Sequence, residues 1–153
     1  MNVRTELRPR LRRSSIICCV AMAVIALSGS AVRAANGELP KAWRGKYFYS
    51  NATPPVSFEL KITSQQGQDF TARTTESATF GTQPCSFLYA TITGRVVGNS
   101  IQFTKTYDGT CGQKHSVYYS GIIDQNAQNI WGSWKIGEDF TGMFTAEAEQ
   151  HQR

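Results

Sequence analysis

Beyond residue 41, apolar and polar residues alternate with a period of two along most of the chain. The cleanest stretch is Val56-Ser-Phe-Glu-Leu-Lys-Ile-Thr63. Val56, Phe58, Leu60 and Ile62 fall on one face, and Ser57, Glu59, Lys61 and Thr63 on the other. Side chains alternate across a strand, so this pattern is a strand with one face in a core and one in water. No segment keeps a 3.6-residue period. The alternation predicts eight strands, over 42–50, 56–63, 69–77, 86–97, 100–107, 115–123, 130–136 and 140–147. The breaks carry turn chemistry. Pro54 and Pro55 cannot donate to a ladder. Gln66-Gly67, Gly98-Asn99, Asp108-Gly109, the 124–129 segment and Gly137-Glu-Asp139 supply residues that favour turns or tolerate positive φ.

Every connection is short, so consecutive strands pair antiparallel in a meander. Closing the meander removes both free edges. Glycines recur inside the strands at Gly45, Gly94, Gly121, Gly132 and Gly142. Such glycines mark bends or close strand approach, which a small tilted barrel needs. The expected fold is therefore all-β: an eight-stranded antiparallel up-and-down barrel spanning 42–147. A seven- or eight-stranded sandwich is the alternative.

The first 34 residues do not belong to that pattern. Five arginines precede Ile16–Leu27, an unbroken apolar run, and small residues follow up to Ala34. Charge, short apolar core and small-residue exit describe a secretory signal cleaved after Ala34. The run is shorter than the roughly 20 residues that span hydrocarbon. Residues 35–41 then form an N-terminal arm and 148–153 a polar tail. The expected location is outside the cytoplasm, periplasmic or secreted, with no membrane insertion after cleavage. A membrane barrel would turn its apolar face outward and end in interfacial aromatics, whereas this chain ends Ala-Glu-Gln-His-Gln-Arg.

Removing the leader changes the charge. The whole chain has a formal net charge of +5. Six arginines and one glutamate lie in the leader, which leaves ten basic and ten acidic residues. A neutral domain lacks the cationic excess that displaces counterions from nucleic acid. All 3 Trp, 6 Tyr and 8 Phe fall between Trp43 and Phe144.

Several short motifs recur on the strands: Trp43-x-Gly45-x-Tyr47, Gly98-Asn-x-Ile-x-Phe-x-Lys-x-Tyr107, Tyr119-x-Gly121, Ile130-x-Gly132-x-Trp134-x-Ile136 and Gly142-x-Phe144. Their rhythm resembles the calycin group of small eight-stranded barrels, the avidin-like and lipocalin-like proteins. That resemblance implies a lumen holding a small ligand, and binding rather than catalysis. Biotin binding is not expected from it, because the avidin contact set cannot be placed residue by residue here.

Cys18 and Cys19 leave with the signal, so Cys85 and Cys111 remain in an exported domain, where a disulfide is favoured. In a meander, the loops after strands one, three, five and seven share one rim. Cys85 follows the third-to-fourth loop and Cys111 lies in the fifth-to-sixth, so both reach that rim. The same rim carries the longest loops, and Phe80, Tyr107, Lys114 and His115 would surround its mouth. Trp43, Tyr47, Tyr89, Trp134 and Phe144 are candidates to line the lumen. On strand five, Ile101, Phe103, Lys105 and Tyr107 share a face. An inward Lys105 would be costly unless paired. It would either receive a ligand carboxylate or phosphate, or cover an aromatic and reach water or an acid.

Catalytic and cofactor motifs are missing: there is no G-x-S-x-G, H-E-x-x-H, P-loop or Rossmann glycine pattern. His115 and His151 are the only histidines, and no C-x-x-C marks a metal site. The sequence thus points to a non-enzymatic exported barrel, without metal or cofactor, that binds a small or partly apolar molecule at the rim or lumen. The alternative is a secreted protein-interaction module, such as a hydrolase inhibitor using its N-terminal arm. Outward Trp131 and Tyr118 would instead favour a homo-oligomer.

Overall fold

The computed structural model describes residues 37–50, 53–79 and 84–150. The segment 1–34 expected to be a signal, Phe80 and the end of the polar tail lie outside the described residues. Eight strands form the domain: β1 (Ala42–Tyr49), β2 (Val56–Gln66), β3 (Asp69–Ser77), β4 (Phe87–Val97), β5 (Ser100–Tyr107), β6 (Ser116–Ile123), β7 (Asn129–Ile136) and β8 (Phe140–Ala148). Each pairs antiparallel with its neighbours in sequence, and β1 pairs with β8, so the sheet closes as an up-and-down barrel. The sandwich alternative falls away because closure leaves a single continuous sheet. Strand β2 runs three residues further than the alternation predicts. A register shift between Ile62 and Ser64 absorbs Thr63, and such a bulge lets a strand continue while its polar/apolar order slips.

The inward stripe is apolar almost throughout. Val56, Phe58, Leu60 and Ile62 are buried, as are Leu88, Ala90, Ile92 and Val96, while the alternate positions face outward. The middle of the lumen is filled by rings. Phe103 stacks on Tyr119 at 4.6 Å between centroids, and Phe144 meets both edge-on at 5.8 and 5.1 Å.

The five in-strand glycines make this packing possible. A Cβ at Gly94 would lie 2.5 Å from Phe103 Cβ and 2.6 Å from the Phe70 ring. Gly121 and Gly132 face each other in the β6–β7 register, where a Cβ on Gly132 would lie 2.5 Å from the Gly121 Cα. These strands approach more closely than any side chain would permit.

The end of the barrel opposite the long loops is sealed by the arm. Leu39 is buried, its N–H donates to Gln65 Oε1 at 2.8 Å, and the Trp43 indole N–H donates to the Pro40 carbonyl at 2.9 Å. The lower lumen around Leu39, Trp43 and Ile130 leaves only about 10 Å³ of free space. Eight-stranded barrels stand at the threshold between filled and ligand-holding, and this one is filled. Among the described residues, no helix is long and apolar enough to cross a membrane.

Candidate functional site

The upper end of the barrel departs from the apolar rule. Glu76, near the end of β3, is buried, and so is Lys105 on β5. Lys105 Nζ lies 2.8 Å from Glu76 Oε2 and 2.8 Å from the Tyr107 hydroxyl. Tyr107 donates a short hydrogen bond to Glu76 Oε1, and Tyr47 donates to the same oxygen at 3.3 Å. The ammonium also stands 5.0, 4.5 and 5.7 Å from the ring centres of Tyr47, Tyr107 and Tyr119. A buried ion pair is tolerable only when such hydrogen bonds complete it. Here the carboxylate and the two phenols pair with one another and take up two of the three ammonium N–H groups.

Aromatic rings wall the cluster on the rim side. Tyr49 meets Tyr47 and Trp134 edge-on at 5.7 and 5.3 Å. Phe140, half exposed, packs against Tyr49 and Trp134 at 5.8 and 5.6 Å. The Trp134 indole N–H is fixed by the carbonyls of Phe48 and Met143, each at 3.2 Å. Opposite, His115 lies 4.7 Å from the Tyr107 ring, and the Tyr107 N–H donates to the His115 carbonyl at 3.1 Å. Between these walls a cavity of about 20 Å³ reaches Lys105, room for one water molecule.

Burial sets the electrostatics. Desolvation pulls the Lys105 ammonium below its ordinary pKa, against the attraction of Glu76. Burial, reinforced by the Glu76 charge, pushes the phenols of Tyr47, Tyr107 and Tyr119 well above the ordinary tyrosine value. Partial burial, then the Lys105 charge, lowers the His115 imidazole, while Glu76 works the other way.

The disulfide joins Cys85 to Cys111 at this same end, with Cα atoms 6.0 Å apart. Cys111 sits at φ 57° within a short 3₁₀ turn, Thr110–Gly112. Asp108 caps the loop by accepting the Thr110 N–H at 2.8 Å.

The structure brings Tyr47, Lys105, Tyr107, Trp134 and His115 together. It does not bring in the others. Trp43 is inward but lines the opposite, sealed end. Tyr89 points outward and is 44% exposed, because the inward set of β4 is Leu88, Ala90, Ile92 and Val96. Lys114 is exposed, and Phe80 lies outside the described residues. Phe144 is inward but belongs to the mid-lumen plug. The expected lumen site is corrected as well, since rings occupy the space. The partner of Lys105 escaped the reading of the sequence. Parity along β3 carried the signal: Phe70, Ala72, Thr74 and Glu76 alternate inward, which places a lone acid on a buried stripe. Among the described residues, no three His, Cys, Asp or Glu side chains converge on a point where a metal could sit.

The chain is thus an eight-stranded antiparallel barrel with one disulfide. It is similar in fold to a redesigned β-barrel, at TM-score 0.58 and 8% identity over 74% of this chain and 92% of that one. It is similar also to a de novo designed fluorescence-activating β-barrel, at TM-score 0.55 and 8% identity over 76% and 98%. At such identity the likeness concerns the fold alone. No protein-family model matches the chain, and no curated protein matches it in sequence.

Proposed function

We propose that this protein is an exported binding protein whose site is the disulfide-braced mouth rather than the lumen. Its ligand is a small molecule with one polar head and an apolar body. The reading rests on one observation, the contrast between the two ends of the same barrel. One end is closed with apolar side chains and an arm. The other carries a buried ion pair and three tyrosines beneath an aromatic rim. Well-packed apolar residues are often at least as stabilising as a buried ion pair, so stability alone does not account for the polar end. Perturbed titratable groups beside a cavity make a candidate binding site. The head would replace the water-sized space beside Lys105, and Tyr49, Trp134 and Phe140 would hold the body. Cys85 and Cys111 would pair during export and brace the loops that frame the mouth.

A hydrolase inhibitor acting through its arm draws no support from the arm's geometry. Leu39 is buried, its N–H donates to the Gln65 side chain, the Pro40 carbonyl accepts from the Trp43 indole, and the Lys41 carbonyl accepts from the Ile62 N–H.

The test is a ¹H–¹⁵N spectrum of the mature protein titrated with benzoate, 4-hydroxybenzoate and phenethylamine, alongside a native mass spectrum of protein purified gently from an exporting host. The expected result is saturable shifts at Tyr49, Lys105, His115 and Trp134 with at least one probe, lost in Lys105→Met, or a removable mass at fixed stoichiometry. Shifts confined to the outer wall, with a clean apo mass, would overturn the reading.

A further inference from the structure

The outer wall of the barrel is divided by charge. The outward positions of β1–β4 include Arg44, Lys46, Glu59, Lys61, Asp69, Arg73 and Arg95. The outward positions of β5–β8 carry only Lys135 and Glu147. An apolar band runs across this charge-poor half and onto the adjoining strands β1 and β4. Trp131 pairs directly with Ile122, and Met143 with Phe48. Trp131 and Met143 are diagonal neighbours, because Trp131 pairs with Thr145 and Ser133 with Met143. Val97 extends the band through Ser100, which pairs with both Val97 and Ile122. Trp131 is 45% exposed and Met143 57%. Depletion of charge with aromatic and Met enrichment is the composition of an interface core, and an apolar band of this kind on a surface marks an interaction site.

The charges at its two ends indicate what covers it. On the β7–β8 ladder, Lys135 stands on the rung with Thr141, and Glu147 on the rung with Asn129. The Trp131–Thr145 and Ser133–Met143 rungs lie between them. Neither Lys135 nor Glu147 has an ion-pair partner among the described residues. Lys135 only leans over Tyr118, at 5.7 Å from the ring centre. A two-fold axis crossing the strands between the two middle rungs lays one such face on another. Trp131 of each copy then falls on Ser133 of the other, beside Met143. Lys135 of each copy falls over the Asn129–Glu147 rung, and the opposite charges pair twice. A two-fold interface must be self-complementary in this way.

We propose that the β6–β8 wall is the interface of a homodimer, with Trp131 at its centre and reciprocal Lys135–Glu147 pairs at its edges. The inference is independent of the ligand reading, since the mouth lies at the end of the barrel and the band on its side.

The test is sedimentation equilibrium of the mature, oxidised protein across a concentration series, backed by native mass spectrometry. The wild type is expected to dimerise. Trp131→Glu should raise the dimer Kd by about 30-fold or more, the scale of an interface hot spot, with its melting curve as monomer retained. Should Trp131→Glu fold poorly, the charge pair carries the test. Lys135→Glu and Glu147→Lys should each weaken the dimer, and the double swap should restore it. A monomer at every concentration would overturn the proposal, including the case in which the band serves a different protein. So would a dimer indifferent to these variants.

Discussion

Lys105 Nζ and Glu76 Oε2 lie 2.8 Å apart inside a barrel whose inward positions are otherwise almost all apolar. Each charge is tolerable only because the other is present. Removing one partner strands a buried charge, which costs about 3–5 kcal/mol. Glu76→Leu and Lys105→Met should therefore each lower stability by about that amount in urea unfolding. The double variant should recover most of the loss, short of full recovery, because the Tyr47 and Tyr107 hydroxyls lose their acceptor. A double-mutant cycle measures the coupling. Additive losses would mean that the two side chains do not act as a pair.

His115 gives the site a pH signature. Burial and the nearby Lys105 charge hold its imidazole below the ordinary value of 6.5. A base whose folded pKa is lowered binds fewer protons when folded than when unfolded. Stability should therefore fall as pH drops through 6.5, and level off below the folded-state pKa. The ring protons of His115 should titrate below 6.5 by NMR. Lys105→Met should move that midpoint upward, because a neighbouring positive charge is gone. His115→Asn should flatten this part of the stability profile. A wild-type midpoint at or above 6.5 would contradict the arrangement around the ring.

Where the sequence alternates cleanly, it reveals the fold; where it does not, it misleads. β2 and β5 each carry one strongly apolar face, so the inward placement of Phe58 and of Lys105 was legible from spacing alone. β4 has two apolar faces, Phe87 and Tyr89 on one and Leu88, Ala90 and Ile92 on the other. Local pattern cannot choose between them, and Tyr89 falls outside. The choice is made by neighbours: the inward Gly94 leaves room for the Phe70 ring and the Phe103 Cβ, which fixes the parity of the whole strand. β3 reads as polar beyond Ala72, so Glu76 resembles a surface acid until the strand is placed between β2 and β4. Whether the lumen is open or filled depends on ring packing across the barrel, a property of eight strands together rather than of any one segment.

The Gly121–Gly132 pair makes a steric prediction. A Cβ at Gly132 would fall 2.5 Å from the Gly121 Cα, and also against the Ser120 carbonyl. Neither backbone group can swing away, so Gly132→Ala should cost about 3 kcal/mol, the upper part of the overpacking range. Gly98→Ala is the control. Nothing lies within 4 Å of its added Cβ, but its φ is +62°, so only the left-handed penalty of about 1 kcal/mol applies. Equal costs at the two positions would show that β6 and β7 can separate, contrary to their tight register.

The disulfide and the ion-pair cluster should prove separable. Cys85 and Cys111 are 26 residues apart, and closing such a loop is worth about 3.5 kcal/mol in the chain-entropy model. The double variant Cys85→Ser/Cys111→Ser should lose roughly that much in urea unfolding. The cluster should persist, because Tyr47, Glu76, Lys105 and Tyr107 stand on strands rather than on the bridged loops. His115 is held to Tyr107 by a backbone hydrogen bond of its own. Its titration is therefore the readout: the midpoint should stay low in the disulfide-free protein although the loops around the mouth have lost their brace. A midpoint that rises towards 6.5 would mean that the bond itself shapes the floor of the mouth, and that the braced loops and the buried charges form one unit.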